Sequence, residues 1–134
     1  PLEPETMAEI ERNMAIQAVG PQEDVRPWLT ASDVFVFPSY REGFPNVVIE
    51  AGAMGLPSIV TDINGSREII REGKNGVIIP PRDTELLRQC MERFITDNSL
   101  ASRLSVEARS LVASRYEQGF VRQCLKDYYK EILK

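Results

Sequence analysis

The chain has 134 residues, of which 43% are hydrophobic and 27% charged, and its formal net charge is −4. This composition suffices for one domain with a buried core. Acidic and basic residues are mixed along the chain without a polybasic run, which argues against a nucleic-acid partner. No apolar run approaches the roughly 20 residues that a membrane-spanning helix needs.

Reactive side chains are few. The sequence contains no histidine and only two cysteines, Cys90 and Cys124, which lie far apart on predicted helices. We therefore expect reduced thiols, as in a cytosolic protein, with no disulfide framework and no metal site. Without histidine, any chemistry must depend on carboxylates, backbone amides or the ligand itself.

The first thirty residues are predicted to form two helices and one strand. Thr6 to Glu9 has the spacing of a capping box, and apolar residues at helical intervals accompany it. Residues 15–19 form a short apolar run and are predicted as a strand. A short helix is expected over residues 26–31, with Trp28 in the core.

The middle of the chain alternates strand and helix patterns. Val34 to Phe37 is a continuous apolar run, typical of a strand buried on both faces of a parallel sheet. Residues 46–54 are predicted as a helix and residues 58–61 as a strand. A short helix over 67–71 and a strand over 76–79 follow.

The remainder is predicted to be helical. One helix begins at an Asp83 cap, the next at a cap formed by Asn98 or Ser99, and the last runs from Glu117 to the end. The whole pattern predicts an α/β fold: a doubly wound parallel sheet with helices on both faces and a helical C-terminal end. In such folds ligands bind at the carboxyl ends of the strands, where the loops 38–46 and 61–66 lie.

The loop before the 46–54 helix is the candidate site. The amides of Asn46, Val47 and Val48 are expected to lack intrahelical partners and, with the helix dipole, to bind a phosphate or diphosphate. Gly43 lets the backbone approach a ligand closely. The site therefore suits an anion.

Two carboxylates bracket this anion site. Glu42 lies in the loop, and Glu50 lies one turn inside the helix on about the same face as Asn46. Because like charges repel, they are better suited to accept hydrogen bonds from hydroxyls on either side of a diphosphate. A nucleotide sugar has that layout, although a glutamate near a helix N-terminus also simply complements the dipole.

The segment Glu42-Gly43-Phe44-Pro45, followed by Glu50-Ala51, resembles the Glu-x7-Glu signature of the family 4 retaining glycosyltransferases, which have the GT-B fold. The similarity continues in the family's order over nearly the whole chain, through Ser32–Ser39, Gly55–Thr61, Gly65–Ile70 and Gly73–Gly76. The chain thus resembles the C-terminal, nucleotide-sugar-binding domain of such an enzyme.

The resemblance implies a transfer of a sugar from a nucleotide-diphosphate sugar to a glycan or glycolipid acceptor, with retention of configuration, in polysaccharide or glycolipid biosynthesis. No metal or other cofactor is implied. Glu42 would act as the catalytic residue and contact the sugar hydroxyls near the reacting carbon, and Glu50 would bind the ribose. The implied sugar and diphosphate contacts are Gly43, Phe44, Pro45, Asn46 and Val47.

The resemblance also implies that part of the enzyme lies elsewhere. Residues 1–134 are expected to be a single donor-binding domain truncated at its N-terminus, because the sequence starts at Pro1 without an initiator Met. The basic residues that neutralise the donor diphosphate and the acceptor-binding N-terminal domain would lie upstream. We therefore expect the isolated chain to be inactive, and the full-length protein to be cytoplasmic, with peripheral attachment to the inner membrane face open.

Two other interpretations remain. A sugar-nucleotide epimerase of GT-B architecture would use a set of acidic and histidine residues, and this chain has no histidine. A non-catalytic nucleotide-binding or receiver-like module would need acidic residues at the early strand ends, where Val19-Gly20 and Phe37-Pro38 stand instead. The site residues, more than the fold, favour the glycosyltransferase.

Overall fold

The computed structural model of the protein describes residues 2–133, which form seven helices and three strands. The strands are β1 (Phe35–Phe37), β2 (Ser58–Thr61) and β3 (Gly76–Ile79). The helices are α1 (Pro4–Arg12), α2 (Arg26–Thr30), α3 (Asn46–Ala53), α4 (Ser66–Ile69), α5 (Thr84–Thr96), α6 (Asn98–Tyr116) and α7 (Gln118–Ile132).

The three strands form one parallel sheet in the order β1-β2-β3. Val36 lies opposite Ile59, and Ile59 lies opposite Val77. The central strand β2 is buried over its whole length. Each strand is separated from the next by helical segments, as parallel pairing requires, so the carboxyl ends of all three meet at one edge.

Helices cover both faces of the sheet. On one face, Ile59 of β2 packs with Cys90 and Phe94 of α5 and with Leu104 of α6. On the other face, Val60 packs with Val48 of α3, with Ile69 of α4 and with Ile70, which follows α4. Because successive strand residues point to opposite faces, neighbouring β2 residues serve two separate cores. The predicted doubly wound α/β architecture with a helical C-terminal end is confirmed.

The structure confirms the predicted cap of α5 but not that of α6. Asp83 caps α5 as predicted, and its side chain accepts from the amide of Leu86 at 2.9 Å. At α6, however, Asp97 is the cap and accepts from the amide of Ser99 at 3.0 Å, so the Ser99 cap was wrong. The side chain of Asn98, the other candidate, lies outside the described residues.

Helix α1 begins earlier than the capping-box spacing predicted. Its first residue is Pro4, preceded by Glu3 without a side-chain cap, so Thr6 lies inside the helix and the predicted cap was wrong. The fixed φ of proline suits the first helical turn, where its missing N–H costs nothing. The stronger start signal was therefore Pro4.

The predicted strand over residues 15–19 is also wrong. These residues have no strand assignment and are exposed. A strand requires a partner for its backbone groups, and within residues 2–133 no strand pairs with the outer edge of β1. The apolar character of residues 15–19 was therefore not enough to make them a strand.

The last helix, α7, follows the expected bounds as far as Ile132, and Lys134 lies outside the described residues. None of its residues is buried, and one apolar set on it is exposed: Phe120, Val121, Leu125, Tyr128, Tyr129 and Ile132. None of the helices between residues 2 and 133 combines the length and apolarity of a membrane span.

Candidate functional site

The loop between β1 and α3 lies at the carboxyl edge of the sheet. It ends at Pro45, a buried residue that immediately precedes α3 and offers no side-chain cap. The amide of Val48 donates to the carbonyl of Pro45 at 3.0 Å, so its predicted availability was wrong. Within the described part of the chain, the amides of Asn46 and Val47 have no protein acceptor. Two donors at the positive end of a helix are therefore available to an anion.

Glu42 is half-buried in this loop and is held by a neighbouring hydroxyl. Ser39 Oγ donates to Glu42 Oε1 at 2.6 Å. The carbonyl of Ser39 in turn accepts a hydrogen bond from the hydroxyl of Thr61, the last residue of β2. The carboxylate is thereby connected to the central strand.

Gly43 and Phe44 have different surroundings. A side chain added at Gly43 would meet no heavy atom within 4 Å, so the space beside this backbone is open. The ring of Phe44 is 43% exposed and packs edge-on against Tyr116 of α6, with 5.6 Å between ring centroids. Burial raises the pKa of the Tyr116 phenol, which donates to the carbonyl of Glu68 at 3.0 Å. The tip of the loop is thus packed against the end of α6.

Gly65, which precedes α4, holds the other side of the loop. Its φ is +81°, and an added Cβ would lie 2.6 Å from the Gly43 carbonyl oxygen and 2.8 Å from Pro45 Cδ. Only glycine permits so close an approach with this backbone conformation. The α4 start and the candidate loop are therefore in direct contact.

Glu50 is exposed on α3 and borders a cavity of about 330 Å³. Val47, one turn earlier, lies on the same cavity wall. The other walls are mainly apolar, and they come from β1 and the segment before it: Val19, Gly20, Gln22, Val25, Trp28, Leu29, Phe35 and Phe37. The structure therefore places Glu50 beside an apolar cavity and Glu42 in the loop that precedes the free amides.

Sequence reasoning missed this cavity. Trp28 was expected in the core, but it is 40% exposed on the cavity wall, and its Nε1 donates to Gln22 at 3.1 Å. Phe35 and Phe37, expected to be buried on both faces, are only half-buried, and their rings stack with 5.9 Å between centroids. The density of aromatic residues around 28–37 was the available signal.

Two other polar residues near the strand ends are explained by the local turn. Arg67 donates to Asp62 at 3.2 Å and to Asn64 at 2.8 Å, all on the exposed surface. In the part of the chain that the structure describes, no three His, Cys, Asp or Glu residues are arranged to hold a metal ion. Cys90 is buried and Cys124 exposed, and both are free thiols.

The family model for glycosyl transferases group 1 matches residues 1–97, nearly three quarters of the chain. The chain belongs to this family. The matched range contains all three strands and the whole loop between β1 and α3. All residues that line the cavity beside Glu50, and the carboxylates of Glu42 and Glu50, therefore lie within the range that the family model matches.

Individual relatives of this glycosyl transferase domain agree with the family assignment. The lipopolysaccharide core biosynthesis glycosyltransferase LpsE of Rhizobium meliloti is 33% identical over 118 residues, which are 88% of this chain and 34% of that protein. An Escherichia coli UDP-Gal:alpha-D-GlcNAc-diphosphoundecaprenol alpha-1,3-galactosyltransferase is 30% identical over 115 residues, 86% of this chain and 30% of that protein. The chain spans about a third of the length of these relatives.

Solved structures share the fold. A glycosyltransferase from Rickettsia africae superposes with a TM-score of 0.87 at 28% identity, over 97% of this chain and 35% of that one. The glycosyl transferase domain thus has the α/β architecture of the GT-B glycosyltransferases. Its candidate site lies at the carboxyl edge of the sheet, where that architecture binds ligands.

Proposed function

We propose that this chain is the donor-binding domain of a retaining glycosyltransferase that moves a sugar from a nucleotide-diphosphate sugar to a glycan or glycolipid. One observation carries the proposal. Along the chain, the two free amides of α3 follow a carboxylate held in the loop, Glu42, and precede a carboxylate beside an apolar cavity, Glu50. This order matches the order of groups in a nucleotide sugar.

The diphosphate would bind at the start of α3. The amides of Asn46 and Val47 donate to it, and the helix dipole favours its negative charge. The open space beside Gly43 admits the phosphates close to the backbone. Two amides alone neutralise little of the diphosphate charge, and the chain itself carries a net charge of −4. The remaining cations would come from the part of the enzyme outside this chain, as the family resemblance implies.

The nucleoside would bind on the Glu50 side. Two adjacent ribose hydroxyls donate to one carboxylate in charge-assisted hydrogen bonds, the stronger kind. The neighbouring cavity of about 330 Å³, lined by Trp28, Phe35 and Phe37, has the size and apolar walls that suit a planar base. In this arrangement Val47 has two roles: its amide would donate to the phosphate, and its side chain lines the cavity.

The sugar would bind on the Glu42 side, with Gly43, Phe44 and Pro45 forming the loop beneath it. The carboxylate accepts from sugar hydroxyls near the reacting carbon. In the front-face reaction the bond between the anomeric carbon and the diphosphate oxygen breaks, and the acceptor oxygen bonds to that carbon on the same face. The acceptor proton passes to the departing diphosphate, so configuration is retained without a protein base or a metal.

The acceptor site and the rest of the cation set would belong to the two thirds of the relatives' length that this chain does not cover. The exposed apolar face of α7 is a surface that this other domain would cover. We therefore expect the isolated chain to be inactive. UDP sugars are the first donors to test, because the E. coli relative is named for UDP-Gal and a diphosphoundecaprenol-linked acceptor. A lipid-linked acceptor would place the enzyme at the inner membrane face.

The test is a transfer assay with the full-length protein. UDP-galactose, UDP-glucose and UDP-N-acetylglucosamine are offered with a diphospholipid-linked sugar, and the anomeric configuration of the product is read by NMR. We expect an α-linked product from an α-configured donor, and no change on adding EDTA. Glu42→Gln should abolish transfer while UDP still binds, whereas Glu107→Gln, on the exposed face of α6, should have no effect. A β-linked product would contradict retention, and loss of activity with EDTA would contradict the metal-free mechanism.

A further inference from the structure

Glu42 is connected to the core through two side-chain hydrogen bonds, one within the loop and one that spans 22 residues of chain. Thr61 is fully buried at the end of β2, and its hydroxyl donates to the carbonyl of Ser39 across 22 residues of chain. Ser39 Oγ donates to Glu42 Oε1 at 2.6 Å. We call this pair of hydrogen bonds the relay: it leads from Thr61 on the central strand, through Ser39 in the loop, to the carboxylate of Glu42.

The proton of Ser39 has two acceptors within reach, and distance decides between them. The carbonyl of Arg41 lies at 3.5 Å, the outer limit of a hydrogen bond, whereas the Glu42 oxygen lies at 2.6 Å and is charged. Charge-assisted bonds are shorter and about twice as strong as neutral ones. The hydroxyl of Ser39 therefore donates its hydrogen bond to Glu42 and not to the Arg41 carbonyl.

This bond restrains a torsion that is otherwise loose. The last torsion of a glutamate side chain has a broad distribution, so an unrestrained carboxylate samples many orientations. With Oε1 occupied by Ser39, the plane of the carboxylate is set and Oε2 is left for a ligand. The backbone of Ser39 is itself held by the hydrogen bond from Thr61.

We infer that Ser39 and Thr61 are positioning residues for the sugar end of the donor site, and that they act through Glu42. This inference rests on the proposed function of Glu42. It separates the two ends of the site: the relay orients the carboxylate that contacts the sugar, whereas the nucleotide end at Glu50 is built from α3 and the cavity. Loss of either hydroxyl should therefore impair sugar recognition and transfer without impairing nucleotide binding.

The test uses the full-length protein and two matched pairs of variants. Ser39→Ala and Thr61→Val remove the hydroxyls, while Ser39→Thr and Thr61→Ser keep them. Thr96→Val removes a hydroxyl that donates to the Glu92 carbonyl at 2.9 Å on α5, away from the site, and serves as control. The affinities for UDP and for UDP-galactose are measured by calorimetry, and kcat by the transfer assay.

We expect Ser39→Ala and Thr61→Val to lower kcat about tenfold, the scale of one charge-assisted hydrogen bond. Their UDP affinity should stay within about twofold, and the extra affinity conferred by the sugar should disappear. Ser39→Thr and Thr61→Ser should restore both quantities. Equal weakening of UDP and UDP-galactose would show that the hydroxyls merely hold the fold, and would overturn the inference, as would variants that behave like the unsubstituted protein. Failure of the unsubstituted protein to bind UDP, GDP or ADP or any of their sugar conjugates would instead overturn the proposed function, and the inference with it.

Discussion

At the scale of single residues, the candidate site depends on contacts that leave little room for substitution. Gly65 has a left-handed backbone conformation and touches the loop of Gly43 and Pro45. Glu42 is restrained by Ser39, while Glu50 is exposed at the cavity rim. The loop is thus fitted against its neighbours, and the cavity side is open.

Gly65→Ala should destabilise the protein more than the same change at Gly73. Gly73 has a similar φ of +72°, but no heavy atom lies within 4 Å of an added Cβ, so its substitution costs only the backbone term, about 1–2 kcal/mol. At Gly65 the new methyl group would also collide with the Gly43 carbonyl, which adds about 1–3 kcal/mol. Urea unfolding of the two variants measures the difference. Equal destabilisation would contradict the close contact between α4 and the loop.

Glu50→Ala should weaken UDP binding roughly 10- to 100-fold, because a carboxylate that accepts from the ribose contributes about 1.5–3 kcal/mol. Alanine favours the helix, so α3 itself should persist. The matched control is Glu107→Ala on α6, which should bind UDP like the unsubstituted full-length protein. Calorimetry on that protein measures both affinities, and an unchanged affinity for the Glu50 variant would refute the ribose contact.

At the scale of elements, the parts predicted well were those with local signals. The apolar runs of β2 and β3 and the Asp83 cap of α5 are contained within a few residues, and the structure confirms them. Residues 15–19 have an equally apolar run, but a strand also needs a partner, and none lies beside β1 in the described chain. The sequence of residues 15–19 alone does not indicate whether a neighbouring strand exists to pair with them.

In the candidate site, too, features with a local sequence signal could be predicted, and features that depend on distant residues could not. The free amides of Asn46 and Val47 could be predicted from the helix start alone. The amide of Val48 was also predicted to be free, but it donates to the carbonyl of Pro45. The bond from Thr61 to Ser39 spans 22 residues and has no local signature. The cavity beside Glu50 likewise depends on where residues 19–29 lie against β1.

Helix α6 should be the element whose packing matters most to stability, since it lies on the sheet core and also contacts α3. Leu104→Ala removes a side chain that is 1% exposed among Ile59, Cys90 and Phe94, and should cost about 2–5 kcal/mol. Val106→Ala, two residues later and 78% exposed, should change stability by less than about 0.5 kcal/mol. Thermal unfolding of both variants checks this, and similar melting temperatures would contradict the packing described here.

At the scale of the whole molecule, the proposed donor site lies in a chain that covers only part of its relatives' length. The chain spans about a third of its curated relatives, its α7 face is apolar and exposed, and its net charge is −4. A negatively charged domain needs a local positive centre to hold a diphosphate, and we propose the start of α3, with its two free amides, as that centre. The central claim is therefore that nucleotide diphosphates bind at this one place.

The most direct test is to follow the amide NMR resonances of this chain during titration with UDP, GDP and ADP, repeated on the full-length protein. We predict that one nucleotide shifts the amides of residues 42–50 more than the others do. The largest shifts should fall on Asn46 and Val47 and on the cavity wall around Trp28. Shifts confined to another surface, or no shifts at millimolar nucleotide in either protein, would contradict the donor-binding account.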